Sequence, residues 1–238
     1  MKIKSPLISI CFILFLSALS FAQSADDNSD IVGWSDITVG TPLIQKEENG
    51  KKVDKLALSF TSALRFGRNL KRPIDERAGL ALTYRFNKYF SAGSGYLYRR
   101  FRPTEAPRQY EHRILFFLLA EKQWKNVVVR NRSLTTYLIK HSRPDTVVYR
   151  NRLQANFPVR KNEKVLFSPF VADEPFYDFR VKKWVRNDIY AGITRQFTKR
   201  VAADFFYIHQ GFKLGSLRKT NGFGVSFRYR VDKLIKLN

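Results

Sequence analysis

The chain has 238 residues and carries 43 Lys and Arg against 20 Asp and Glu, a formal charge of +23 at pH 7, with 44% hydrophobic and 15% aromatic residues. The single cysteine, Cys11, and the single methionine, Met1, both lie in the first 22 residues, so the remaining 216 contain no disulfide, thiol nucleophile or cysteine metal site. A stretch of that length supports one sizeable domain without such staples.

Lys2 and Lys4 precede a short apolar run from Ile8 to Leu16, and Ser20-Phe21-Ala22 places small residues at −3 and −1 of a cleavage site. The run is shorter than the roughly 20 residues needed to span a bilayer, so residues 1–22 are read as a cleaved signal peptide and 23–238 as the exported domain. Without Lys2 and Lys4 the charge is +21. In a cytosolic protein that excess points to nucleic acid; in an exported one it points to anionic lipid, polysaccharide or small anions.

Along the exported part the recurring pattern has a period of two, the side-chain period of a strand. A first strand is expected at about 34–45. In 55–66, Leu56, Leu58, Phe60, Leu64 and Phe66 alternate with Ala57, Ser59, Thr61, Ala63 and Arg65. In 77–86, Ala78, Leu80, Leu82, Tyr84 and Phe86 alternate with Arg77, Gly79, Ala81, Thr83 and Arg85. Strands follow at about 90–101, 110–121 and 127–139, the second with Leu115 to Leu119 apolar on both parities. In 147–157 Tyr149, Leu153, Ala155 and Phe157 oppose Arg150, Arg152, Gln154 and Asn156. The strand at 164–174 contains Pro169, which suggests an edge, a bulge or a misplaced boundary. Strands at 185–197, 201–210 and 221–231 complete the series, the last with Phe223, Val225, Phe227, Tyr229 and Val231 against Gly224, Ser226, Arg228 and Arg230. The pattern gives about eleven strands. Turns near 87–89, 121–126, 160–164 and 198–200 are short, and polar stretches at 67–76, 102–109, 140–145, 175–183 and 211–220 are longer. This spacing predicts an all-β fold, an up-and-down antiparallel barrel of 10–12 strands, with an even number expected for a bacterial outer-membrane barrel.

Alternation alone does not say which face is inside. Three features favour an apolar outside and a polar lumen, as in transmembrane barrels. The polar parity mixes small residues such as Ala57, Ser59, Gly79, Gly192 and Gly224 with large charged ones, as a narrow lumen requires. Aromatics gather near strand ends, among them Tyr89, Phe90, Trp124, Phe157, Trp184 and Phe197. Export without cysteine fits the route to the outer membrane.

The segments "YEHRI" (110–114), "VVVRNRSL" (127–134), "VVYRNRLQ" (147–154), "PFVADEPFYDF" (169–179) and "YAGITRQF" (190–197) together resemble a bacterial family known only as a domain of unknown function. That family is regarded as outer-membrane β-barrel-like, and the resemblance covers most of the exported domain. It implies a fold and a compartment, with the barrel-assembly machinery as partner, and no activity. The chain departs from common barrel practice at its end, where Tyr229 is followed by "VDKLIKLN" instead of closing on an aromatic.

The repeated Val-Val-x-Arg-Asn-Arg puts Arg130, Arg132, Arg150 and Arg152 on the inward parity, where Arg228, Arg230, Glu111 and Glu174 also fall. Inward expectations extend to Arg65, Arg77, Arg85, Arg113, Arg186, Asp188 and Asp204. Two functions are compatible with that lining: a narrow, arginine-lined anion channel, and a closed lumen filled by Arg–carboxylate pairs. In the second case the barrel is structural, or binds lipopolysaccharide at a basic outer rim, with Lys182, Lys183, Trp184 and Arg186 as one contact cluster. An outer-membrane lipid hydrolase is the remote third reading. His112, His141 and His209 are scattered, His112 and Glu111 point oppositely, and the sequence contains no GxSxG or HExxH motif. No catalytic residue, metal ligand, cofactor or nucleic-acid contact is expected.

Overall fold

The computed structural model describes residues 29–102, 108–141, 143–162, 164–215 and 218–232; the expected signal peptide lies outside them. Twelve strands are present: β1 (Ser29–Glu48), β2 (Lys51–Gly67), β3 (Arg72–Arg85), β4 (Phe90–Phe101), β5 (Gln109–Gln123), β6 (Val128–Lys140), β7 (Thr146–Asn156), β8 (Val159–Lys161), β9 (Lys164–Asp178), β10 (Lys183–Gln196), β11 (Val201–Phe212) and β12 (Lys219–Arg230). All eleven expected strands are found near their expected positions; β8, three residues long, is the addition.

Eleven strands close into a barrel, each antiparallel to its neighbour until β12 meets β1. There the pairing is parallel, from Ser29↔Lys219 to Gly40↔Arg230. An odd strand count makes this unavoidable, because the first and last strands of an odd meander run the same way. The expected up-and-down antiparallel barrel of 10–12 strands is present, with an odd count in place of the expected even one and one parallel seam. The seam is fastened at one end by Val231 N–H donating to Gly40 O (2.8 Å) and by the Arg230–Asp54 ion pair.

Two hairpins run past the wall. β12 stops opposite Gly40, so β1 and β2 continue as a two-stranded ribbon to a turn at Asn49 and Gly50, both with positive φ (52° and 71°). β8 and β9 form the second hairpin. Pro169 sits where β9 changes neighbour, between Val159↔Phe167 on β8 and Asn156↔Phe170 on β7. A residue without an N–H is harmless at that break in the ladder. The connections at 68–71 and 179–182 are tight turns, shorter than the polar stretches expected there.

The apolar parity is outside. Phe60, Leu80, Leu82, Phe116, Leu118 and Phe227 are all exposed, while their strand neighbours Ala81, Thr83, Phe117 and Arg228 turn inward. Buried polar and exposed apolar side chains reverse the arrangement of a soluble fold and have the pattern of an outer-membrane-type barrel. The double-apolar run in β5 resolves the same way: Phe116 and Leu118 face out, and the Phe117 ring lies flat on inward Gly93, where a Cβ would collide with it.

Candidate functional site

The lumen holds two ion-pair networks and an aromatic block. On the β2–β5 side, Asp75 takes bidentate bonds from Arg77 (2.9 and 2.6 Å) and Arg99 (2.9 and 2.7 Å), with Arg65 at 3.6 Å. Arg99 continues to Glu111 (3.1 Å), which also takes Arg113. Register explains the convergence: Asp75, Arg77, Arg99 and Glu111 occupy adjacent rungs of β3, β4 and β5, where alternation turns all four inward.

On the opposite wall, Glu174 accepts from Arg132 Nη2 (2.9 Å) and lies 3.5 Å from Arg150 Nε. Arg152 is turned onto the Tyr190 ring (4.1 Å) and donates to Gln154. Tyr190 O–H is within 3.3 Å of Glu174 and 3.4 Å of Asp188. Asp188 is held by Arg186 (2.7 and 2.5 Å) and by Gln210 Nε2 (3.0 Å to each oxygen), and Thr220 donates to Gln210. Glu174 and Asp188, 1% and 0% exposed, each lie among cations, which is what makes a buried carboxylate tolerable.

Between the walls stands the aromatic block. Trp34 meets Tyr190 and Phe206 edge-on, with centroids 6.3 and 6.2 Å apart, Tyr190 and Phe206 are tilted at 5.8 Å, and Val32, Phe170, Ala172 and Ile208 pack around them. Arg65 stacks on Trp34 with its guanidinium carbon 3.5 Å from the ring centroid. The Phe206 ring also covers Gly224, so this inward glycine is a seat for an aromatic ring. The lumen is thus less polar than expected: in β9, β10, β11 and β1 the inward parity carries large apolar groups beside the charges.

The expected lumen residues separate into three groups. Arg132, Arg150, Arg152 and Glu174 come together, and Glu111 belongs to the facing network. Arg228 pairs with Asp204 and Arg230 with Asp54 at the β12 C-terminal end, beside a cavity of about 350 Å³ lined by Gly40, Ala57, Ser59 and Arg200. Arg130 pairs with Glu121 at the same end, half in solvent. Sequence reasoning missed Asp75, Arg99, Asp54, Glu121, Trp34 and Tyr190. Two were within reach: Arg99 continues the alternation set by outward Tyr96 and Tyr98, and Asp75 shares the parity of Arg77.

The rim cluster is corrected. Lys182 and Lys183 lie at a turn and Trp184 faces out against Tyr177 (5.3 Å), but Arg186 points inward to Asp188 and over Phe176 (4.0 Å). A bulge between Trp184 and Arg186 is the cause, since the extra residue resets the parity. Charge also fails to distinguish the barrel ends. Arg68, Lys71, Arg180, Lys182 and Lys213 crowd one; Lys51, Lys52, Lys88, Lys125 and Lys199 crowd the other. His209 faces out, bonded through Nδ1 to Asn221 Oδ1 (2.8 Å), which also accepts from Tyr207.

Similar folds occur among solved structures. LpxR from Salmonella typhimurium is 10% identical, over 78% of this chain and 84% of that one, with a TM-score of 0.48. The β domain of the Bordetella autotransporter BrkA is 9% identical over 78% and 86%, at 0.47. The anion-selective porin from Comamonas acidovorans is 15% identical over 76% and 60%, at 0.38. No curated protein matches the chain. Residues 45–232 match a family described as "Protein of unknown function (DUF2490)".

Proposed function

Since the chain belongs to that family, whose description names no activity, we propose from the lumen that it is a closed barrel of the bacterial outer membrane that binds lipid and does not conduct ions. The observation that carries this reading is the Trp34–Tyr190–Phe206 block with Arg65 stacked upon it. A conducting anion path needs guanidinium groups facing open water. Here Arg77, Arg99, Arg113, Arg132 and Arg186 each hold a carboxylate, and the rings lie against Arg65 of one network and Arg152 of the other.

Planar-bilayer recording of the refolded protein tests it. The expected result is a silent membrane for the wild type and ion flow on replacing Trp34, Tyr190 and Phe206 together by alanine. Steady, chloride-selective wild-type conductance that weakens when Arg132, Arg150 and Arg152 become glutamine would establish the anion channel instead.

Lys182, Lys183 and Trp184 support a lipid role at one rim. An exposed indole beside two ammonium groups suits the boundary where anionic headgroups meet hydrocarbon. Lysine pairs with phosphate as a point charge, and lipopolysaccharide supplies phosphates at the outer leaflet. Lys182→Gln with Lys183→Gln should weaken lipopolysaccharide binding to the refolded barrel, as should added salt. Binding indifferent to both removes this rim from the proposal.

A further inference from the structure

The Arg-Asn-Arg triplets also mark the outer face. In Arg130-Asn131-Arg132, Arg150-Asn151-Arg152 and Arg186-Asn187-Asp188 the flanking charges turn into the lumen, so alternation sends each central asparagine outward. These asparagines are organised. Asn131 and Asn151 exchange amide hydrogen bonds (2.8 and 3.1 Å), and Asn151 Nδ2 also donates to Ser133 Oγ (2.9 Å). Asn187 Nδ2 donates to the exposed Asp173 (2.8 Å), while Asn187 Oδ1 is buried and has no hydrogen-bond partner.

Depth makes this band unusual. Ser133↔Asn151 is the middle rung of a ladder running from Val128↔Asn156 to Leu138↔Thr146. Asp173↔Ile189 is likewise central between Ser168↔Thr194 and Asp178↔Lys183. Leu153, Val171 and Ile189 beside them are 51%, 53% and 50% exposed, as lipid-facing residues are. On the far flank, β2–β5 presents Phe60, Leu80, Leu82, Phe116 and Leu118 with no comparable amide band. Polar groups at mid-span are costly in hydrocarbon and mark contacts with protein, because lipid headgroups lie at the strand ends. An asparagine amide has two donor hydrogens, so Asn131, which donates once within the chain, keeps one, both hydrogens of Asn151 are taken, and the exposed Asp173 carboxylate keeps lone pairs.

We propose that the outer face of β6, β7, β9 and β10 is a self-association surface on which a second copy of this chain docks. The face is self-complementary. It offers an amide donor at Asn131 and carboxylate acceptors at the exposed Asp173, so a two-fold contact sets the donor of each copy against the acceptors of the other. Leu153, Val171 and Ile189 supply the apolar contact around them. The inference rests on the membrane location proposed above and is independent of whether the lumen is closed.

Refolded protein in detergent micelles, followed by analytical ultracentrifugation across a hundredfold concentration range, tests it. Insertion and folding are checked separately by the heat-dependent gel shift, so failure to enter a membrane is distinguishable from failure to associate. The wild type is expected to be dimeric, and Asn131→Leu with Asp173→Leu to weaken association at least tenfold while retaining the gel shift. Leu80→Asn, on the far flank, should leave association unchanged. Should the double variant not fold, oxidative cross-linking of Leu153→Cys in liposomes should trap a dimer that Leu82→Cys does not. A monomeric wild type, association undiminished in the double variant, or cross-linking through Leu82→Cys alone would overturn the proposal. A monomer that retains tightly bound lipid would do the same and assign the band to lipid.

Discussion

Glu174→Gln is the sharpest perturbation of the lumen. The side chain is almost fully buried and near-isosteric with its replacement, so packing is preserved and only the charge is removed. Its carboxylate takes a hydrogen bond from Arg132 (2.9 Å), attracts Arg150 (3.5 Å), and lies against Tyr190 O–H (3.3 Å). Neutralising it leaves Arg132 and Arg152, direct cross-strand partners, as like charges on one rung. Removing one partner of a buried pair costs about 3–5 kcal/mol. Because Arg132 and Arg150 side chains are 36% and 23% exposed, lumen water moderates the penalty, and we expect about 2–4 kcal/mol. Urea unfolding of the refolded barrel in lipid, followed by tryptophan fluorescence, measures it. Glu121→Gln is the internal comparison: its pair with Arg130 is about half exposed (43% and 53%), and its loss should cost no more than about 1 kcal/mol. Combining Glu174→Gln with Arg132→Gln should recover part of the loss, since the stranded cation is then gone. If Glu174→Gln and Glu121→Gln prove equally mild, the lumen is well hydrated and the closed ladder is wrong.

The outer face and one loop yield further tests. Leu118 is 62% exposed on the outer face near mid-strand, and in the proposed membrane barrel Leu118→Arg should cost about 2–4 kcal/mol in the same unfolding assay; a neutral effect would place that wall outside hydrocarbon. In the loop beyond β6, the Lys140 N–H (3.0 Å) and the Tyr137 hydroxyl (2.9 Å) hold the Asp145 carboxyl below its ordinary range. A depressed carboxylate pKa contributes stability that is complete above the ordinary carboxylate value, about 3.9, and lost as pH falls through the lowered one. Amide exchange at Lys140 should therefore quicken only in strong acid, and Asp145→Asn should make it fast and pH-independent beyond the intrinsic exchange rate; identical protection in both proteins would dismiss the loop bond.

Alternation made most of the fold legible. The period of two gave eleven strands, and the small residues mixed with charges on one parity, with aromatics near the strand ends, pointed to the other parity as the outer face, because each strand carries its own two faces. Arg132, Arg150 and Glu174 were identifiable as inward for the same reason. Other features depend on positions relative to other strands. The parallel seam follows from whether the strand count is odd, and a count uncertain by one cannot yield it. Arg186 carries both an inward and a rim expectation, and the bulge after Trp184, which separates its direction from that of the indole, decides for the lumen. The aromatic block pairs Tyr190 and Phe206 of the β10–β11 hairpin with Trp34 of β1, far away in sequence and brought to them only once the barrel closes. The outward Asn131–Asn151 pair is intermediate: parity points each residue to lipid, but only the register of β6 on β7 brings the two amides within bonding distance. Sequence periodicity thus determined the faces, because side-chain direction is local to a strand. Closure and register decided the contacts, because they join residues that no local pattern relates.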